Sequence, residues 1–198
     1  MNKFFGSTPL PSKPSQHKRG FTLVELMVAI AVVAILSVIA LPSMSDFLVR
    51  MRVDDEISEM QRLLLTARNM AINTGKNTTV CPLASGACTT NWAGEISVFT
   101  NNANTLGDSN AFSINDELVK VKEAIKLGDQ LQYSQISVIY TPDGRLLTTA
   151  ASFNYCPSGK ADRSRGIDVS ISGRSYASSD TDNDGKDEDR NGNEIVCS

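Results

Sequence analysis

Hydrophobic and polar positions divide the chain into stretches with different periods. Residues 1–20 are polar, interrupted by Pro9, Pro11 and Pro14, and carry no apolar repeat, which predicts an unstructured leader. From Phe21 to Leu41 every residue is apolar except Thr22, Glu25 and Ser37. As a helix rising about 1.5 Å per residue, such a run reaches roughly 31 Å, enough to cross the hydrocarbon core of a bilayer. Cations before the run and none inside it place its N-terminus in the cytoplasm and the rest of the chain on the far side. A cleaved secretory signal would have a shorter apolar core ending in an A-x-A-like site, and this run has neither.

Pro42 closes the apolar run, yet helical spacing resumes beyond it. Met44, Phe47, Leu48 and Met51 recur at that spacing, and so do Ile57, Met60, Leu64, Ala67 and Ala71. Asp46 and Arg50 stand four apart, where they can pair on one face. The pattern predicts one long helix over about 21–72, kinked or loosened at Pro42. It should stop near Asn73-Thr74-Gly75, where glycine can cap the C-terminus. Its first half (21–41) is apolar all round and reads as a transmembrane half. Its second half (42–75) carries one stripe, as an amphipathic helix laid on a sheet does.

Beyond Gly75 the period shifts toward two. Candidate strands are 77–81, 95–100, 130–134, 136–141, 145–149, 152–156 and 166–171. Ile167, Val169 and Ile171 alternate with Asp168 and Ser170, which suits a strand with one buried face. Thr141-Pro142-Asp143-Gly144 is a turn signal expected to join two antiparallel strands, since proline presets its φ and glycine accepts a positive one. Residues 101–117 read as a loop. Residues 118–127 fit a strand or a short helix equally. From Ser178 the chain is rich in Asp, Asn and Gly, with no core-forming pattern. The fold class is α+β, a long N-terminal helix packed on antiparallel β-sheet. The domains are a leader (1–20), the two helix halves (21–41 and 42–75) and a soluble β-rich head with an acidic C-terminal tail (76–198).

Charge sharpens this division. The first twenty residues hold Lys3, Lys13, Lys18 and Arg19 and no acid, so 15 of the 19 basic residues remain against all 22 acidic ones. So acidic a remainder is a poor partner for polyanions. The single histidine, His17, falls in the leader, which leaves the remainder without histidine-based catalysis. No nucleophile–base–orienter set and no phosphate loop is visible, so an enzyme is not expected. Cys81, Cys88, Cys156 and Cys197 all follow the apolar run. If that part is exported they form two disulfides. Of the three pairings, Cys81–Cys88 with Cys156–Cys197 closes the shortest loops, contributing roughly 2.5 and 4 kcal/mol by loop entropy.

The stretch Lys18-Arg19-Gly20-Phe21-Thr22-Leu23-Val24-Glu25 puts a basic leader, a glycine, a phenylalanine and an apolar span with a glutamate in one register. It resembles the class III signal of type IV pilins and type II secretion pseudopilins. That resemblance implies cleavage after Gly20 by a prepilin peptidase and N-methylation of the new amino terminus at Phe21. It also implies a retained membrane helix, for which Pro42 is the loosening proline. An ionised carboxylate in hydrocarbon costs several kcal/mol and is kept only with a partner. The Phe21 amine is the obvious cation, on the same chain or a neighbour, which makes Glu25 the assembly charge.

The remainder resembles the GspH/FimT family through Trp92-Ala93-Gly94 with Val98-Phe99, Thr141-Pro142-Asp143-Gly144-Arg145, and Gly173-Arg174. The resemblance implies a pilin-like fold and a minor pilin at or near the tip of a type IV pilus, priming its assembly. The alternative is the H-type minor pseudopilin of a type II secretion system. Implied partners are other minor pilins, the major pilin, the prepilin peptidase and the inner-membrane assembly platform. The implied location is the inner membrane, single-pass with the head in the periplasm, then the fibre. A further alternative is a DNA-binding competence pilin, since some members bind DNA through Gly-Arg-x-Arg. Here that stretch is Gly173-Arg174-Ser175-Tyr176, without the second arginine, and seven acids face three bases from Arg174 onward. Both features argue against nucleic acid.

Asp180, Asp182 and Asp184 fall at positions 1, 3 and 5 of a loop, with Gly185 at 6 and Glu188 at 9. Alternate oxygens converging on one hard cation, with a glycine at the sharp turn, is the pattern of a calcium loop. Position 12 is Asn191 instead of a bidentate glutamate, so this is no EF-hand proper. A solvated acidic loop is the other reading. No other cofactor is expected.

Overall fold

The computed structural model describes residues 20–101 and 108–197, with the side chains of 39–43 and 108 left aside. The leader expected at 1–20 lies outside the described residues apart from Gly20, and at Pro42, where a kink is expected, only the helical backbone is described. The chain divides into two compact units, 1–43 and 44–198. One helix, α1 (Leu23–Thr74), supplies the helical part of both.

In the first unit every described residue from Gly20 to Val38 is exposed except the half-buried Ser37. Ser37 donates its hydroxyl to the Val33 carbonyl, so that hydroxyl is satisfied within the helix. Among the described residues no helix is both long and apolar enough to cross a membrane, because the apolar run is described only as far as residue 38.

In the second unit α1 buries Val53, Ile57, Met60, Leu63, Leu64, Ala67 and Ala71, one stripe at spacings of three and four. The stripe packs on strands whose inward residues include Val80, Val98, Phe99, Val138, Tyr140, Phe153, Ile167 and Val169. The helix ends as the sequence predicts, with Gly75 at φ +66° and its N–H on the Ala71 carbonyl.

The β-structure forms two antiparallel sheets. The first contains β1 (Asn77–Ala84), β2 (Ala87–Cys88), β3 (Ile96–Asn101), β4 (Glu117–Lys122) and a strand at Val138–Tyr140. Numbered in chain order, the short Gln130–Gln132 strand is β5 and Val138–Tyr140 is β6. β1 lies between β3 and β6, with Thr79 opposite both Phe99 and Ile139. The second sheet runs β5, β7 (Ala151–Cys156), β8 (Arg165–Val169), β9 (Ser175–Ala177). Trp92 sits at the seam. Its indole donates to the Gln135 carbonyl at 2.8 Å, and it meets Tyr133 and Phe153 edge-on at 5.0 Å.

Three differences from the sequence reading have physical causes. The undecided segment 118–127 begins as strand β4, because Lys122 is drawn inward to Glu56 and Glu59 of α1. No strand forms at 145–149. Leu147 N–H returns to the Ile139 carbonyl and Leu146 bridges Tyr140, but Leu146 N–H goes to the Ile171 carbonyl in the turn after β8, so the pairing stays an isolated bridge. The 166–171 strand ends at Val169, where Ser170 and Arg174 close a tight turn into β9.

Candidate functional site

The helix head is built by its own first turn. Thr22 stands just before α1 and its Oγ1 accepts the Glu25 N–H at 3.2 Å, while its carbonyl takes the Leu26 N–H. Thr22-x-x-Glu25 is therefore the capping pattern in which a hydroxyl satisfies an orphan N–H. Glu25 falls in the first turn, where the helix dipole favours a negative charge. Phe21 is 81% exposed, and a Cβ built on Gly20 would meet nothing within 4 Å. Packing among the described residues does not require glycine at position 20.

A second construction ties the helix to the two turns that carry the family-like motifs. Arg68 donates from Nε to the Gly144 carbonyl at 2.9 Å and from its terminal nitrogen to the Ser172 carbonyl at 3.4 Å. Gly144 and Gly173 sit at φ +75° and +76°. A Cβ on Gly173 would come within 2.0 Å of the Gly144 oxygen, and one on Gly144 within 2.8 Å of Ile72. Both positions thus require glycine twice over, for conformation and for space. Thr141 and Gly144 close the first turn at 2.8 Å, which explains the Thr-Pro-Asp-Gly signal.

Three polar nodes fasten the head to α1. Asp129 is buried, receives the Tyr155 hydroxyl at 2.6 Å and the Ser158 N–H at 2.8 Å, and forms an ion pair with Arg52 at 3.0 Å. Burial, then the bond to Asp129, pushes the Tyr155 phenol up. Asp46 lies between Arg50 at 3.1 Å, Lys160 at 3.4 Å and Arg163 at 3.4 Å. Desolvation would raise its carboxyl, but those cations hold it below the ordinary carboxylate value. Arg165 reaches Asp54 of α1, Asp187 at 2.7 Å and the Ser178 carbonyl at 3.0 Å. The sequence marked only the Asp46–Arg50 pair, because the other partners lie far along the chain.

The acidic tail is docked by such bonds. Ser179 and Glu188 exchange both backbone hydrogen bonds, and Ile195 N–H meets the Asp187 carbonyl at 2.9 Å. Disulfides join Cys81 to Cys88 and Cys156 to Cys197, the second tying the end of the tail to β7. Asp180, Asp182, Asp184 and Glu188 converge, with one carboxylate oxygen from each lying within 4.8 Å of the others. Asn191, at position 12, instead donates its N–H to Asp189. Lys186 pairs with Glu194 at 2.9 Å, and that bond raises its ammonium.

A helix with a prepilin-type head, carried into an α+β domain, defines a pilin-like subunit. The prokaryotic N-terminal methylation motif matches residues 15–41, and the family described as Type II transport protein GspH matches residues 56–173. The chain belongs to this GspH family of minor pilins and pseudopilins, and is a membrane-anchored subunit of a pilus or pseudopilus. A fimbrial protein of Pseudomonas aeruginosa is 42% identical over 59 residues, 30% of this chain and 38% of that protein. The type IV major fimbrial protein FimA of Dichelobacter nodosus is 32% identical over 77 residues, 39% and 44% of the two chains. The chain therefore spans less than half the length of either relative. The type IV minor pilin FimU of Pseudomonas aeruginosa superposes with a TM-score of 0.52 at 18% identity, covering 64% of this chain and 88% of that one, and shares the fold.

Proposed function

We propose that this protein is a minor pilin, inserted at or near the tip of a type IV pilus and priming its assembly. The observation that carries the reading is the helix head: a capped first turn bearing Glu25, behind a glycine that no packing among the described residues requires. A residue type with no local structural reason is best explained as read by another protein, here a prepilin peptidase cutting after Gly20 and methylating Phe21. Likeness to fimbrial proteins over 59 and 77 residues supports a pilus over a secretion pseudopilus.

Cleavage would place a new amine at Phe21, four residues before Glu25. The pair can neutralise the carboxylate on the same chain or across to a neighbour, and so sets each subunit's register at the inner-membrane assembly platform. Major pilin and other minor pilins are the neighbours, the head lies in the periplasm before assembly, and Pro42 loosens the helix between its two halves.

Deletion of the gene, scored for surface pili and twitching and separately for exoprotein secretion, tests the assignment. Loss of pili with normal secretion supports it, and the reverse assigns the subunit to a pseudopilus. Glu25→Val should leave cleavage intact and impair incorporation; normal incorporation of that variant refutes the charge-pairing role.

A further inference from the structure

The second unit holds a carboxylate whose bonding is incomplete. Glu188 is 5% exposed. Its Oε2 accepts the Thr181 N–H at 2.7 Å and the Thr181 hydroxyl at 2.6 Å. Its Oε1 is buried with no hydrogen-bond donor. A buried, unpaired carboxylate oxygen is costly, and native structures supply it with a donor or a cation. No donor is in place, but the three aspartates of the same loop are.

Those aspartates are oriented by the loop. Gly185 N–H binds one oxygen of Asp180 at 3.0 Å, Asp184 N–H one of Asp182 at 3.1 Å, and Lys186 N–H one of Asp184 at 2.8 Å. Each side chain is anchored through one oxygen, and the second remains for a ligand. At Asp184 that second oxygen has only a 3.9 Å contact with Lys186, whose closer partner is Glu194.

We propose that Asp180, Asp182, Asp184 and Glu188 bind one calcium ion. The donor set is all oxygen, which suits a hard cation and excludes thiolate or imidazole metals. Size separates calcium from magnesium. Opposite ligands lie about 4.6–5.2 Å apart around calcium and about 4.0–4.2 Å around magnesium, from their respective bond lengths. The four oxygens lie within 4.8 Å of one another, inside the span that calcium allows. The four carboxylates leave two to four positions for water.

The ion would act on the tail's docking. Glu188 is bridged to both Ser179 and Glu194, and its neighbour Asp187 is held by Arg165, which also reaches Asp54 of α1. One divalent ion offsets two of the four negative charges and so weakens the repulsion that opposes this closed loop. The site holds whether the fibre is a pilus or a pseudopilus.

The test is calorimetric titration of calcium chloride into the full-length protein in detergent, disulfides intact. One ion per chain is expected, with a Kd of about 10⁻⁴–10⁻³ M, the range of extracellular modules, and magnesium at least about tenfold weaker. Glu188→Gln keeps an acceptor for Thr181, so it should leave the circular dichroism of the calcium-free protein unchanged while weakening binding about tenfold or more. On the unaltered protein, calcium should protect Lys186 and Arg190 from limited trypsin cleavage. No binding at millimolar calcium, equal magnesium affinity, unchanged affinity in Glu188→Gln, or no protection overturns the site.

Discussion

Two stretches of α1 carry similar side chains and meet different surroundings. Met44, Phe47, Leu48 and Met51 are 54–57% exposed, and Leu23 to Val38 are exposed throughout apart from Ser37. Val53, Ile57, Met60, Leu63, Leu64, Ala67 and Ala71 are at most 3% exposed. Backbone hydrogen bonding is the same along both, so it does not explain the difference. The later stretch has its partner within the chain, in the two sheets. The earlier one leaves many large apolar side chains exposed, which marks a surface for lipid or another protein. A helix can thus be folded by one half and used by the other.

The comparison can be broken most sharply at Leu64, which is fully buried. Leu64→Ala should cost about 2–5 kcal/mol, read as a fall in the urea midpoint of the full-length protein. Asp129→Ala comes next, at about 3 kcal/mol, since it strips the acceptor from the buried Tyr155 hydroxyl and leaves Arg52 unpaired. The same denaturation measures it, and a change under about 0.5 kcal/mol would show that the buried node does not hold the head to the helix.

A smaller effect belongs to Asp46. Its folded pKa lies below the ordinary 3.8, so its contribution is complete above that value and is lost as pH falls through the lower folded one. Thermal midpoints of the wild type and Asp46→Asn should therefore differ above about pH 4 and converge below it. Smallest on folding is Phe47→Ser, within about 0.5 kcal/mol because the ring is half exposed. If that face is an interface, fibre incorporation should fall while the midpoint stays put. A large loss of stability would show that Phe47 is a core residue after all.

Much of this division is legible in the residues. Long helical spacing, the Gly75 stop, the Thr141–Gly144 turn and most strand positions follow from local patterns and match the fold within a few residues. Thr22 was overlooked although its signal, a threonine three before a glutamate at a helix start, was present. No strand forms at 145–149 because Leu146 N–H takes its partner from the turn after β8, a choice that no local period encodes. Asp129, Lys122 and Arg165 looked like ordinary surface charges, since a polar residue shows no periodicity to announce that it is buried. The D-x-D-x-D-G spacing of the tail was readable, whereas the unpaired Glu188 oxygen was not.

By itself the sequence determined what depends on neighbours a few residues away: the helix and its cap, the charge at its head, the turns, and the acidic spacing of the tail. Only the tertiary structure decided what depends on residues a hundred positions apart. It set which half of α1 is covered, how the strands divide into two sheets, and why Gly144 and Gly173 must both lack a side chain. It also set which carboxylate is left buried. Local structure follows from backbone sterics and short-range hydrogen bonds, which act within a turn or two. Pairing at a distance is chosen by the whole chain at once, through the burial it achieves and the polar groups it can still satisfy.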